Sequence, residues 1–104
     1  MRGRALSAMV VLALSVELHL PGCRSLKAKR SVLRPVLDGA RRRYSVAVAE
    51  VGYQDTWQRA EIGVAAVGGS ERHVVEVIDE VERFVWSFPD LQVVGAARHW
   101  LEQE

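Results

Sequence analysis

Residues 10–22 read VVLALSVELHLPG, and every even position from Val10 to Leu20 is apolar, while the odd ones drift from Val11 and Ala13 to Ser15, Glu17 and His19. Such period-two alternation gives a strand with one apolar face, and Pro21-Gly22 ends it. Ser25 then stands where a helix N-cap is expected, ahead of Leu26, Leu33, Val36, Leu37, Ala40 and Tyr44 at helical spacing. Pro35 removes a hydrogen bond to Ser31, so the helix either bends there or begins near Arg34; a bent but continuous helix is favoured.

Working outward, residues 45–51 alternate again, with Val46 and Val48 on one face and Ala47 and Ala49 on the other, and residues 60–67 repeat the pattern through Ile62 and Val64. The intervening residues 52–58, GYQDTWQ, are short enough for a hairpin loop. Gly68-Gly69 breaks the pattern. Ser70 caps a second helix with an apolar stripe of Val74, Val77, Ile78, Val81, Phe84, Val85 and Phe88; Pro89-Asp90 stops it and residues 91–97 form a last short strand. The order β-α-β-β-α-β predicts an α+β fold, a ferredoxin-like sandwich with one antiparallel sheet in the order 4-1-3-2 and both helices on one face.

The chain has 104 residues, 49% hydrophobic and 26% charged, which suits one domain over residues 1–104 with a real core and excludes wholesale disorder. The net charge of +1 hides an asymmetry: residues 1–44 hold ten Lys or Arg (Arg2 and Arg4 among them) against Glu17 and Asp38, while residues 45–104 hold four against eleven acids. A basic surface aimed at an anion, usually nucleic acid, would look like this, and so would a basic helix facing an acidic one. Cys23 is the lone cysteine, so no intrachain disulfide forms and a cytoplasmic location is expected. Arg2 and Arg4 before an apolar run imitate a signal peptide, but Glu17 and His19 interrupt that run and it falls short of the ~20 residues of a membrane span. No membrane association is expected.

The topology gathers Glu17, His19, Glu50, Asp55, Trp57 and Gln58 at one edge of the sandwich. A histidine beside carboxylates can act as a general base or metal ligand, which makes an enzyme or small-ligand site using this polar cluster one reading. Metal sites need three or four convergent ligands, and only Asp55 adds to Glu17 and His19, so neither metal nor cofactor is expected. Glu50 shares the inward parity of Val46 and Val48, and is expected to pair with Arg30 in the seam between Leu26, Leu33 and Leu37.

The segments VELHLPGCRSLKAKRSVL (16–33) and VAVAEVGYQDTWQRAEIGVA (46–65) together resemble the small bacterial YlxP-like family of uncharacterised proteins. That resemblance implies a ferredoxin-like fold, no established activity, and, through the genes that commonly neighbour the family's, a tie to translation and ribosome maturation. Pro35 and Gly39 are local departures from the family's pattern.

The first helix carries the sharper functional signal. Lys27, Arg34 and Arg41 are seven residues apart, about 10 Å at 1.5 Å rise per residue, and Arg30 and Arg42 flank them, forming a stripe along which an RNA backbone could lie. The alternative is a solvated face with Arg41 and Arg42 complementing the helix dipole. Stacking of bases on the sheet, as in RRM domains, is disfavoured because the central positions are Ala13, Ser15, Gly63 and Ala65; RNA contact would come from the helix or from Tyr53 and Trp57 at the hairpin tip, although for Trp57 a core or interface anchor is the favoured role. The open face of Val11, Ala13, Ala47, Ala49, Gly63, Ala65 and Val67 is apolar and flat, which predicts a homodimer. The leading expectation is a non-catalytic module that binds RNA or a ribosomal assembly; an adaptor needing only the apolar face is the third reading.

Overall fold

The computed structural model describes residues 9–101; Arg2 and Arg4 lie outside the described residues. The alternating run forms β1 (Val10–His19), in which Leu12, Leu14, Val16 and Leu18 are all but inaccessible while the odd residues stay half-exposed. It is followed by α1 (Leu26–Tyr44), β2 (Ala47–Gly52), β3 (Arg59–Gly68), α2 (Glu71–Trp86) and β4 (Gln92–Trp100). The sheet runs β2-β3-β1-β4 with each neighbouring pair antiparallel, which read from the other edge is the expected 4-1-3-2. Leu12, Leu14, Val16 and Leu18 of β1 and Ala60, Ile62, Val64 and Ala66 of β3 form the inner face, closed by Leu33, Val36 and Ala40 of α1 and by Val74, Ile78, Val81 and Val85 of α2. Each such valine, leucine or isoleucine side chain contributes about 1.5–3 kcal/mol on burial, so this shared face holds both helices on one side.

Local chemistry sets the ends of the elements. Ser25 and Ser70 have extended backbones, and their hydroxyls accept hydrogen bonds from the amides of Ala28 (3.0 Å) and His73 (3.2 Å), satisfying N–H groups that the first turn leaves free. Helix α1 runs unbroken through Pro35, which faces solvent. It ends at Ser45, a left-handed cap (φ 55°) whose amide donates to the Arg41 carbonyl; that cap is why β2 starts at Ala47 and not at residue 45.

Gly39 is a packing device. A Cβ there would lie 2.5 Å from Phe84 Cζ, so the missing side chain lets α2 lay an aromatic ring on the backbone of α1. Tyr44 and Phe88 flank that ring edge-on, at centroid distances of 5.7 and 5.0 Å.

Strand β4 is longer than residues 91–97. It continues to Trp100, paired opposite Leu12, and Trp100 remains 45% exposed at the sheet edge. Two bulges depart from simple parity: one leaves Val94 unpaired opposite Glu17 and Leu18, and the other, between Glu50 and Gly52, leaves Val51 against Gly63 on the open face. Among the described residues no helix is long and apolar enough to cross a membrane.

Candidate nucleic-acid interface

At 100° per residue, Leu26, Lys29, Leu33, Val36 and Ala40 form the inward side of α1, and Arg30, Arg41, Arg34 and Lys27 fall within about 60° of one another on one flank. Arg41 fixes where that flank looks, because its guanidinium donates to the Val48 carbonyl of β2 at 2.7 Å and to Asp38 at 3.0 Å. The opposite flank meets α2, with Arg43 over the Phe84 ring at 4.9 Å. The basic stripe therefore runs above the β2 edge. Lys27, Arg30, Arg34 and Arg42 are exposed, and none has an ion pair or side-chain hydrogen bond with another described residue. Of the acids of α2, Asp79 and Glu82 hold Arg98 of β4 at 2.8 and 2.9 Å, Glu76 lies 3.5 Å from Arg72, and Glu71 and Glu80 pair with no described cation.

The expected pairing of Glu50 with Arg30 is corrected. Arg30 is exposed, and Glu50 instead meets Lys29, whose side chain is buried and whose Nζ lies 2.8 Å from Glu50 Oε2. The physical reason is register: the inward stripe steps 26-29-33-36-40, so position 29 points at β2 and position 30 lies about 100° round the helix. The ammonium also donates to the carbonyls of Tyr53 (2.6 Å) and Thr56 (2.8 Å). Its contact with the buried Oε2 falls outside hydrogen-bond angles and acts as a charge-charge contact. Three oxygens thus surround one buried cation, and the hairpin tip between β2 and β3 is tied to the first turns of α1.

That anchor holds an unusual backbone. Tyr53 has φ 57°, a left-handed conformation costing a non-glycine residue roughly 1–2 kcal/mol, and its carbonyl serves both Lys29 and the Thr56 amide (3.0 Å). Gln54 Nε2 donates to the Glu50 carbonyl at 3.0 Å, and Gln58 Nε2 donates to the Cys23 carbonyl at 3.2 Å, which fastens the loop to the β1–α1 turn. Arg59 stacks on the Tyr53 ring at 4.2 Å. Trp57 is 51% exposed and, like Asp55, makes no side-chain hydrogen bond or ion pair with a described residue.

The polar cluster shares one end of the sandwich but does not converge. Glu17 pairs with Arg59 on the open sheet face, which raises the guanidinium's pKa through that hydrogen bond, and His19 Nδ1 bonds Gln92 at 3.1 Å. Glu50 is turned inward, Gln58 is used by the backbone, and Asp55 and Trp57 face solvent. Among the described residues, no three His, Cys, Asp or Glu side chains gather as metal ligands. The open face carries a shallow apolar depression of about 390 Å³ bounded by Ala13, Ala47, Ala49, Val51, Gly63, Ala65 and His99. The sequence reading overlooked Lys29; the signal was present in its helical spacing from Leu33, Val36 and Ala40, whereas the seam had been drawn through Leu37.

Comparison with known proteins agrees with this architecture. By fold, the chain is similar to a de novo designed protein, Foldit4 (TM-score 0.53, 11% identity, covering 92% of this chain and 99% of that one). It is also similar to a C-terminal segment of the alpha subunit of aIF2 from Pyrococcus abyssi (TM-score 0.51, 16% identity, covering 92% of this chain and 51% of that one). Both identities are low enough that the likeness concerns fold alone. In sequence, the uncharacterised protein YlxP of Bacillus subtilis (strain 168) is 38% identical over 76 residues, spanning 73% of this chain and 83% of the relative. The family model described as "Protein of unknown function (DUF503)" matches residues 11–98, and the chain belongs to that YlxP-like family.

Proposed function

We propose that the protein is a non-catalytic cytoplasmic module that binds RNA, alone or within a ribosomal assembly, through the flank of α1 bearing Lys27, Arg30, Arg34 and Arg41, with Arg42 beside it on the outer side of the helix. The observation that carries this reading is the exposure of Lys27, Arg30, Arg34 and Arg42 without any acidic partner among the described residues. No acid of α2 pairs with the stripe: Asp79 and Glu82 serve Arg98, Glu76 serves Arg72, and α2 packs against the opposite flank of α1. Unpaired cations set along one flank attract a phosphate backbone and release its counterions, giving salt-sensitive binding with little sequence preference. Purified protein should shift labelled RNA in an electrophoretic mobility assay, and the triple variant Lys27→Glu, Arg30→Glu, Arg34→Glu should lose that shift. Arg72→Glu on α2 should leave it unchanged. Equal affinity of the triple variant and the native chain would end this reading.

A second reading, self-association through the open sheet face, is favoured by the apolar depression on that face. Strands of 10, 6, 10 and 9 residues, at about 3.3 Å rise and 4.8 Å spacing, offer roughly 550 Å² per copy. Two copies would bury about 1,100 Å², just above the ~1,000 Å² expected of a specific interface, so the dimer should be weak and concentration-dependent. Sedimentation at micromolar concentration should show dimer in the native chain and monomer in Ala65→Arg. A monomeric native chain contradicts it.

A further inference from the structure

The hairpin tip and the basic flank meet at one place, since Lys29 is bound to the tip through the carbonyls of Tyr53 and Thr56 and stands between Lys27 and Arg30 in the chain. Trp57 follows directly on the anchored Thr56, and its ring, 51% exposed, makes no hydrogen bond, ring stack or cation contact with a described residue. Trp57 is thus one residue from the point where the tip is bound to α1, and its half-exposed indole offers a flat ring on which a base can stack. Arg59, ion-paired with Glu17, packs at 4.2 Å over the Tyr53 ring and braces the same tip.

We infer that α1 and the 53–57 tip form one composite site for single-stranded RNA, in which the helix flank follows the phosphates and the Trp57 ring stacks an unpaired base. This rests on the function proposed above and names its substrate class. The flank from Lys27 to Arg41 spans about 21 Å, long enough to follow several successive phosphates of one strand. A duplex has no base face to offer Trp57, whereas every unpaired base has one, and that stacking is tolerant of sequence. The site is pre-ordered, because the ammonium of Lys29 holds the tip in its left-handed turn before any ligand arrives.

The test is fluorescence anisotropy with labelled oligouridylate and with a labelled RNA duplex of equal length, using the full chain. The native protein should bind the single strand more tightly. Trp57→Ala should weaken single-strand binding by at least about five-fold, from base stacking of 1–3 kcal/mol, and leave duplex binding unchanged. Trp57→Phe should restore most of the loss. Equal loss on strand and duplex, or no loss on either, overturns the composite site. Loss of all RNA binding in the Lys27, Arg30, Arg34 variant alongside an inert Trp57→Ala overturns the composite site and leaves the proposed function standing. Binding of heparin but of neither RNA overturns both. Circular dichroism melting of Trp57→Ala should match the native chain, since the tip is anchored by backbone carbonyls and not by the indole.

Discussion

Lys29→Met removes one charge from the centre of the α1–β2 contact and keeps an unbranched apolar stem of similar length. The loss leaves Glu50 inside with its buried Oε2 facing no cation, and frees the Tyr53 and Thr56 carbonyls. Breaking a buried ion pair by removing one partner costs about 3–5 kcal/mol. Glu50 keeps 24% of its side chain exposed and the two carbonyls sit in a surface loop where water can replace the ammonium, so the lower end, about 3 kcal/mol, applies. For a domain of this size that is a fall of roughly 12–24 °C in Tm, or a urea midpoint lower by about 1–3 M. Urea denaturation of the native chain, Lys29→Met, Glu50→Leu and the double variant forms a cycle. The double variant should regain most of the loss, with a coupling energy of about 2 kcal/mol, because a hydrophobic pair strands no charge. A loss below about 1 kcal/mol, or the same loss with and without Glu50, would refute the assignment of Lys29 as the anchor.

Other consequences can be checked in the same preparations. Gly39→Ala should destabilise by about 1 kcal/mol even though alanine favours helix, because the new Cβ would sit 2.5 Å from Phe84 Cζ; Phe84→Leu in the Gly39→Ala background should recover part of it, and a net gain in Tm for Gly39→Ala alone contradicts the packing. The buried Cys23 thiol is pushed above its ordinary 9.0, chiefly by burial, with Lys29 lowering it by less and Asp90 adding a smaller rise. The folded state therefore holds that proton more tightly than the unfolded chain. Its contribution to stability is complete below about pH 9.0 and is lost as pH climbs through the higher folded value, so Cys23→Ser should flatten the alkaline limb of a stability profile. Native protein should alkylate slowly with iodoacetamide at neutral pH and rapidly once unfolded, and fast native alkylation would contradict the burial.

Much of this architecture was legible because period two and period 3.6 are visible in single residues. Leu12 to Leu20 announce the inner face of β1, and Ser25 and Ser70 mark helix starts by the side-chain oxygens they supply. The misreading of Arg30 for Lys29 was one of register, since the seam was drawn through Leu26, Leu33 and Leu37 whereas the buried positions 29, 33, 36 and 40 place the lysine inward; a buried ammonium is stable here only because three oxygens meet it, and those come from residues 21 to 27 positions away. The bulges at Val51 and Val94 were equally hidden, since each depends on how two strands pair and not on either strand alone. The polar cluster was correctly brought to one end by topology, yet strand parity could not foresee that Arg59 and Gln92 would occupy Glu17 and His19 singly.

The salt dependence of RNA affinity addresses the free cations of α1 most directly. For single strands the slope of log K against log salt is about 0.7 per phosphate neutralised, so removing Lys27, Arg30 and Arg34 with glutamine should make the slope shallower by about 2. An identical slope in the native chain and the glutamine variant would mean that these side chains touch no phosphate, contradicting the account.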